Sequence, residues 1–253
     1  MKTLGIVAGA GPFAGVDLLQ KVFLHTDAST DQEHLQVLAL FDSPNLPDRT
    51  DFLLDPTLPN PGKALAQQLQ TLEEMGANIA AIPCNTAHAP RILECAEAAL
   101  AAAGVKLQFI NMIAETAQFI RRTQPNLSTV GVLSTTGTTR AGIYPLYLED
   151  VGITTVLPDE NFQTKVIHPA IYDPEYGIKA AGTAAERART DLKSGIAHLA
   201  SKGAQAVILG CTEIPLAIPE ANMHGIALID PTTILARALI REAAPEKLKP
   251  LGA

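Results

Sequence analysis

Two cysteines sit in matching settings. One lies in Pro83-Cys84-Asn85-Thr86-Ala87-His88, the other in Gly210-Cys211-Thr212-Glu213-Ile214-Pro215. Each ends a short apolar run and precedes a helix-start pattern, which reads as the carboxyl end of a buried parallel strand. A thiol at a helix N-terminus meets the positive end of the dipole, so its pKa is expected to fall towards the thiolate. Asn85, Thr86 and Thr212 place polar side chains beside the sulfurs, and the N–H groups of Asn85, Thr86 and Ala87 are natural donors to a carboxylate. Taken singly, each cysteine could be a small buried hydrophobe. Two of them at equivalent strand ends with polar neighbours suggest a shared task.

Three chemistries suit paired thiols. A redox pair is one, but CxxC spacing is absent. Metal binding is another, with His88 as a third ligand, yet the spacing matches no common zinc pattern. The third is two-base proton transfer, in which a thiolate removes a proton from carbon on one face and a thiol delivers one to the other. Only this third chemistry also explains why the chain repeats.

The repeat is plain in the elements that must carry the thiols. The run from Gly76 to Thr86 echoes that from Gly203 to Glu213, with the cysteine eight residues after the glycine in both. Upstream, Leu4-Gly5-Ile6-Val7-Ala8-Gly9 echoes Val130-Gly131-Val132-Leu133-Ser134-Thr135. Gly5 precedes Cys84 by 79 residues and Gly131 precedes Cys211 by 80. That period is too long for a solenoid and predicts two similar α/β domains. Further strands are expected at 37–41, 107–111, 154–157 and 226–229. Helices are expected at 63–75, 91–103, 113–123, 183–202 and 232–242, with Gly76, Gly104 and Gly203 as stops. The segments 42–61 and 158–177 read as loops. Strands alternating with helices give a parallel sheet covered on both faces, with ligands at the carboxyl ends of its strands. The domains are expected to comprise 1–112 plus 226–253, carrying Cys84, and 113–225, carrying Cys211.

Composition narrows the partners. The chain has 253 residues, 47% hydrophobic and 18% charged, enough apolar material for a core. A net charge of −7 without a basic run argues against nucleic acid and anionic membrane surfaces. Three cysteines make no disulfide framework and read as reduced thiols of a cytoplasmic protein. Lys2 and the apolar stretch 4–19 have the outline of a signal peptide, but Gly9, Gly11, Pro12 and Asp17 suit a strand–loop–helix instead.

With these residues in view, the chain resembles the aspartate/glutamate racemase family, in its aspartate racemase branch. The two cysteine motifs carry the resemblance. Gly9-Ala10-Gly11-Pro12, Pro47-Asp48-Arg49-Thr50, Ser134-Thr135-Thr136-Gly137-Thr138, Ile171-Tyr172 and Gly177-Ile178-Lys179 support it, in the family's order along nearly the whole chain. The resemblance implies two doubly wound parallel-sheet domains related as a pseudo-twofold repeat, with the active site in the cleft between them. It implies that Cys84 and Cys211 are the acid/base pair. Arg49 and Lys179 would hold a substrate side-chain carboxylate, as a fork and a point charge. Asn85, Thr86, Thr135 and Thr212, with the Ala87 N–H, would hold the α-carboxylate and α-amino groups. No cofactor or metal is implied, and a homodimer is. Without the resemblance, Arg49 reads as a loop-fixing partner of Asp48 or Asp51, and Lys179 as a solvated helix start. Ala10 and Gly15 depart from the larger and hydroxyl residues frequent among relatives, which bears on pocket shape.

The expected activity is therefore cofactor-independent racemisation of an acidic amino acid, aspartate first. The alternatives are a broad-specificity or glutamate-type racemase, and a non-catalytic amino-acid-binding protein. Gly9 to Gly15 imitates a dinucleotide fingerprint with a displaced third glycine, and reads better as close approach of backbone to a small substrate. His88 is expected to be a satisfied helix histidine, His168 a cleft-lining candidate, Glu213 a helix cap and Cys95 core packing.

Overall fold

The computed structural model describes residues 1–181 and 185–252. In the first half, strand β1 (Leu4–Val7) leads into α1 (Pro12–His25), followed by β2 (Val37–Leu40), α2 (Arg49–Leu54), α3 (Gly62–Glu74), β3 (Ile79–Ala81), α4 (Pro90–Ala103), β4 (Gln108–Ile110) and α5 (Met112–Thr123). The second half runs β5 (Thr129–Ser134), α6 (Thr136–Arg140), α7 (Ile143–Glu149), β6 (Thr154–Val156), α8 (Glu160–Phe162), α9 (His168–Tyr172), α10 (Glu186–Ser201), β7 (Ala206–Gly210), α11 (Ile214–Ala217), β8 (Asn222–Met223), β9 (Ile226–Ile229) and α12 (Pro231–Ala243). A π-helical turn, Gln163–Ile167, joins α8 to α9. Thr183, expected to begin the helix now seen as α10, lies outside the described residues.

Two sheets result. The first has the order β2-β1-β3-β4, all parallel. The second has the order β6-β5-β7-β9-β8, parallel except for the short antiparallel β8. Thus β1, β2, β3 and β4 correspond to β5, β6, β7 and β9. The repeat extends to side chains. A Cβ on Gly5 would lie 3.1–3.3 Å from Ala77, Ala80 and Leu72, and one on Gly131 would lie 3.0–3.1 Å from Ala204 and Leu199. Leu72 and Leu199 each stand 12 residues before the cysteine of their repeat. The Asn78 side-chain oxygen accepts from Thr3 N, and that of Gln205 from Ser128 N and Thr129 N, so each amide clamps the start of the first strand. Gly76 and Gly203 turn the chain from helix to strand at φ 104° and 93°, a region open to glycine at little cost.

Each sheet is packed by helices. In the first, Leu4, Ile6, Ile79 and Ala81 pack against Leu18 and Val22 of α1 and Leu235, Leu239 and Ile240 of α12. The opposite face, marked by Gly5 and Ala80, receives Leu72 of α3. In the second, Leu133, Val207 and Leu209 pack against Leu192, Ile196 and Leu199 of α10, with Ile167 and Ile171 beside them. On the other face Tyr144 lies against Gly210.

The chain divides into two compact units, 1–115 with 232–253, and 116–231. Strand 226–229, expected with the first domain, pairs with β7 in the second sheet, and only the helix after it returns to the first unit. The Gly225 turn (φ 83°) reverses β8 into β9 and holds that strand in place, while Pro231 starts the returning helix immediately after it. Two segments read as loops carry helices. Asp48 caps α2 within 42–61, and α8, the π turn and α9 fill most of 158–177. No helix among the described residues is long and apolar enough to cross a membrane.

Candidate active site

Cys84 follows β3 and Cys211 follows β7, the two corresponding central strands, and both are buried. Cys84 stands in extended backbone at the head of a single 3-10 turn, Asn85–His88. Asn85, Thr86 and Ala87 are buried in that turn. The Ala87 N–H, expected as a carboxylate donor, closes the turn on the Cys84 carbonyl at 3.1 Å. His88 fixes the turn from below. Its Nε2 accepts from the Met112 N–H at 3.2 Å, so the proton is on Nδ1, which donates to the Cys84 carbonyl at 2.9 Å. Burial pushes the His88 pKa down to about 4, leaving a neutral ring stacked on Phe109. Both ring nitrogens are engaged, which removes His88 as a metal ligand in this geometry.

Cys211 is set differently. Its Sγ–H donates to Glu213 Oε2 at 3.1 Å, and Thr212 Oγ1 donates to the same oxygen at 3.2 Å. Glu213 Oε1 accepts from Lys179 Nζ at 2.5 Å. Glu213 is buried, and its side chain makes no cap to the following turn, so the capping role expected of it is replaced by contact with the thiol. Burial raises the Cys211 pKa well above the usual thiol value, Glu213 adds to the rise, and Lys179 opposes it. Burial alone would raise Glu213, but the Lys179 ammonium holds its carboxyl below the ordinary range. Burial alone would lower Lys179, but Glu213 keeps it above its usual value. The lowered thiol pKa expected from a helix dipole therefore does not hold at Cys211. The helix that follows, α11, spans four residues, and desolvation with a neighbouring carboxylate outweighs so short a dipole.

Lys179 is accordingly an ion-pair partner within the second unit, not a solvated helix start. Its ammonium also lies 5.6 Å from the centroid of Tyr172, on which His168 stacks at 5.0 Å. In the first unit, Arg49 opens α2. One terminal nitrogen donates to the Pro47 carbonyl at 3.2 Å and the other to the Ala10 carbonyl. Asp48, one of its expected partners, is otherwise placed: its carboxylate accepts from the N–H groups of Thr50 and Asp51 at 2.7 and 2.9 Å. Thr135, at the end of β5, caps α6 by accepting from the Thr138 N–H at 3.2 Å.

The glycine-rich turn serves the chain itself. A Cβ on Gly9 would lie 2.6 Å from Asp42 N, and one on Gly15 would lie 2.7 Å from Ala8 Cα and its carbonyl oxygen, so the close approach is of backbone to backbone. Two residues escaped the sequence reading. Gln163, buried on the π turn, donates to the Ser134 carbonyl at 3.0 Å and supports the end of β5. Tyr144, fully buried, adds its phenol to the surroundings of Cys211. The Pro-punctuated segment around Gln163 gave no periodic signal, whereas the Cys-Thr-Glu run did place a carboxylate two residues from the thiol. Cys95 is half-buried where α4 packs near Gly62 of α3.

Comparison with known proteins agrees with this fold. The chain is 31% identical to the Picrophilus torridus aspartate racemase, covering 96% of this chain and 94% of that one at a TM-score of 0.77. An aspartate racemase homologue from Pyrococcus horikoshii OT3 shares the fold at 22% identity and a TM-score of 0.71, over 96% of this chain and 100% of that one. So does the Francisella tularensis glutamate racemase in complex with D-glutamate, at 19% identity and 0.66, over 100% and 84%. The family model for Asp/Glu/hydantoin racemases matches residues 7–239. With paired α/β sheets and a cysteine at the end of each corresponding strand, the chain belongs to the Asp/Glu/hydantoin racemase family.

Proposed function

We propose that the protein interconverts L- and D-aspartate without a cofactor, by two-base proton transfer at Cα between Cys84 and Cys211. The observation that carries this reading is the equivalent placement of the two thiols, each buried and each following the central strand of its sheet. A planar carbanion has two faces, and a duplicated domain is an economical source of one base for each. The 31% identity to an aspartate racemase supports aspartate as substrate.

In the proposed step, one cysteine as thiolate takes the α-proton while the other, as thiol, gives its proton to the opposite face. The substrate loses one proton and gains one, and the sulfurs exchange protonation states. An α-proton is far less acidic than a thiol, so the carbanion must be stabilised by oriented donors in a water-poor site. The proposed holders of the α-carboxylate and α-amino groups are Asn85, Thr86, Thr135 and Thr212; the Ala87 N–H is spent on the Cys84 carbonyl. Arg49 and Lys179 are proposed to hold the side-chain carboxylate, with Lys179 sharing its charge with Glu213. The proposed assembly is a homodimer.

Chiral chromatography of L- and D-aspartate, and of both glutamate enantiomers, incubated with the protein without added cofactor tests the substrate. Approach to an equal mixture from either aspartate enantiomer, faster than with glutamate, is expected. Equal or faster conversion of glutamate would overturn the aspartate assignment, and conversion of neither would overturn the reading.

A further inference from the structure

The two thiols stand in different electrostatic surroundings. Cys84 is fixed through its main chain by a neutral histidine, whereas the Cys211 sulfur itself donates to a carboxylate that an ammonium holds in place. We propose that Glu213, anchored by Lys179, is a positioning residue that holds the Cys211 S–H as a hydrogen-bond donor, so that Cys211 is a thiol, ready to donate its proton, in the resting site. The assignment of roles rests on the two-base reading above.

The geometry gives the device its direction. A carboxylate 3.1 Å from the sulfur accepts a hydrogen bond from the thiol but repels the thiolate. Lys179, 2.5 Å from the other carboxylate oxygen, keeps Glu213 ionised in a buried setting and so keeps it an acceptor. Thr212 Oγ1 donates to the oxygen that takes the S–H and orients it. Among the described residues, further titratable groups near Cys211 and Lys179 are Tyr144, whose phenol burial holds protonated and uncharged, and Tyr172, which lies beneath the Lys179 ammonium and carries His168 stacked on it. Asp230 acts on Tyr144. Burial and Glu213 together raise the thiol's pKa, in the direction the geometry requires.

When Cys211 gives up its proton, the thiolate is left beside Glu213, with Lys179 close enough to offset the repulsion in part. Return to the resting state requires only that the proton taken by Cys84 leave and that Cys211 take one up, from solvent or from the opposite enantiomer in the next turnover. The two enantiomers are equal in free energy, so kcat/KM must be the same in both directions. The asymmetry is therefore read from the thiols and not from that ratio.

The test is carboxamidomethylation by iodoacetamide as a function of pH, read by peptide mapping. Cleavage after Lys63, Arg91, Lys106, Lys202 and Arg237 puts Cys84, Cys95 and Cys211 on three different peptides. In the wild-type protein the Cys84 peptide is expected to be labelled first at neutral pH. Glu213→Gln should move the Cys211 profile down by at least ~1 pH unit, about tenfold more thiolate at fixed pH, and Lys179→Met should move it up. The Cys84 profile serves as reference and should stay in place. A loosened fold would shift both variants the same way, so opposite signs separate an electrostatic role from a structural one. Shifts of the same sign, no shift in Glu213→Gln, or first labelling of Cys211 would overturn the proposal. If circular dichroism shows that Glu213→Gln does not fold, Glu213→Asp takes its place: its shorter reach should move the profile part of the way down, and an unmoved profile would overturn the proposal. No amino acid is present in the assay, so failure of the racemase reading and failure of this one are separately visible.

Discussion

His88 fixes the main chain at Cys84 without exchanging a proton. Both its nitrogens are committed to backbone, and burial keeps the ring neutral down to a pKa of about 4. A histidine in the unfolded chain titrates near 6.5. Between these values the unfolded state binds the proton and the folded state does not, so stability rises with pH. The contribution is present above pH ~6.5 and is lost as pH falls towards 4, by about 3 kcal/mol in all. Urea denaturation at pH 4 and pH 7 should show that loss, and His88→Gln should flatten the slope between them; an equal slope in the variant would assign the loss to other groups. At Arg49 the fork is what counts, since two terminal nitrogens reach two carbonyls. On the proposed role, Arg49→Lys is expected to raise KM for aspartate tenfold or more, and loss of the fork's contacts to Pro47 and Ala10 should lower Tm as well. The pairing of Lys179 with Glu213 was not legible in the sequence, because 34 residues separate them and only the tertiary fold brings them together. The cysteines were legible, because each ends an apolar run that follows a glycine stop.

The elements on which these residues sit depend on local devices. Asp48 caps α2 with two backbone N–H groups, which orients Arg49 as the first helical residue. Asp48→Ala should cost about 1 kcal/mol in urea denaturation and raise KM through Arg49. Gly15 lets α1 lie directly on Ala8, where an added Cβ would meet backbone atoms at 2.7 Å. Gly15→Ala is expected to destabilise the protein by about 1–3 kcal/mol, measured the same way. Strands and long helices were readable because continuous apolar runs and helical periodicity leave a strong pattern, and β9 was placed to the residue. The short helices in 42–61 and 158–177 were not. Their prolines read as loop punctuation, while α2 rests on an aspartate cap and Pro169 occupies the second position of α9. The sheet to which β9 belongs was misjudged because parallel pairing with β7 is a long-range contact that no local pattern records.

At the scale of the whole molecule the chain leaves its first unit through α5 and returns through α12. The return is built into the first unit's core by Leu235, Leu239 and Ile240, and is locked by Arg241, which donates to both Glu115 carboxylate oxygens at 3.0 and 2.8 Å. Truncation after Pro231 should leave the first sheet without one of its covering helices and give a molten or aggregated product, visible as lost near-ultraviolet circular dichroism. A truncated protein with native spectra would contradict that. The duplication itself was readable from two pairs of landmarks with nearly equal spacing, and the corresponding strand orders bear it out. The central claim is that the duplication supplies one thiol for each face of a single α-carbon. Proton NMR of L-aspartate in deuterated water tests it most directly, with the intact protein, Cys84→Ser and Cys211→Ser side by side. The account predicts loss of the α-proton signal together with formation of D-aspartate, and loss of inversion in both variants. Inversion that survives either substitution, or an α-proton that never exchanges, would contradict it.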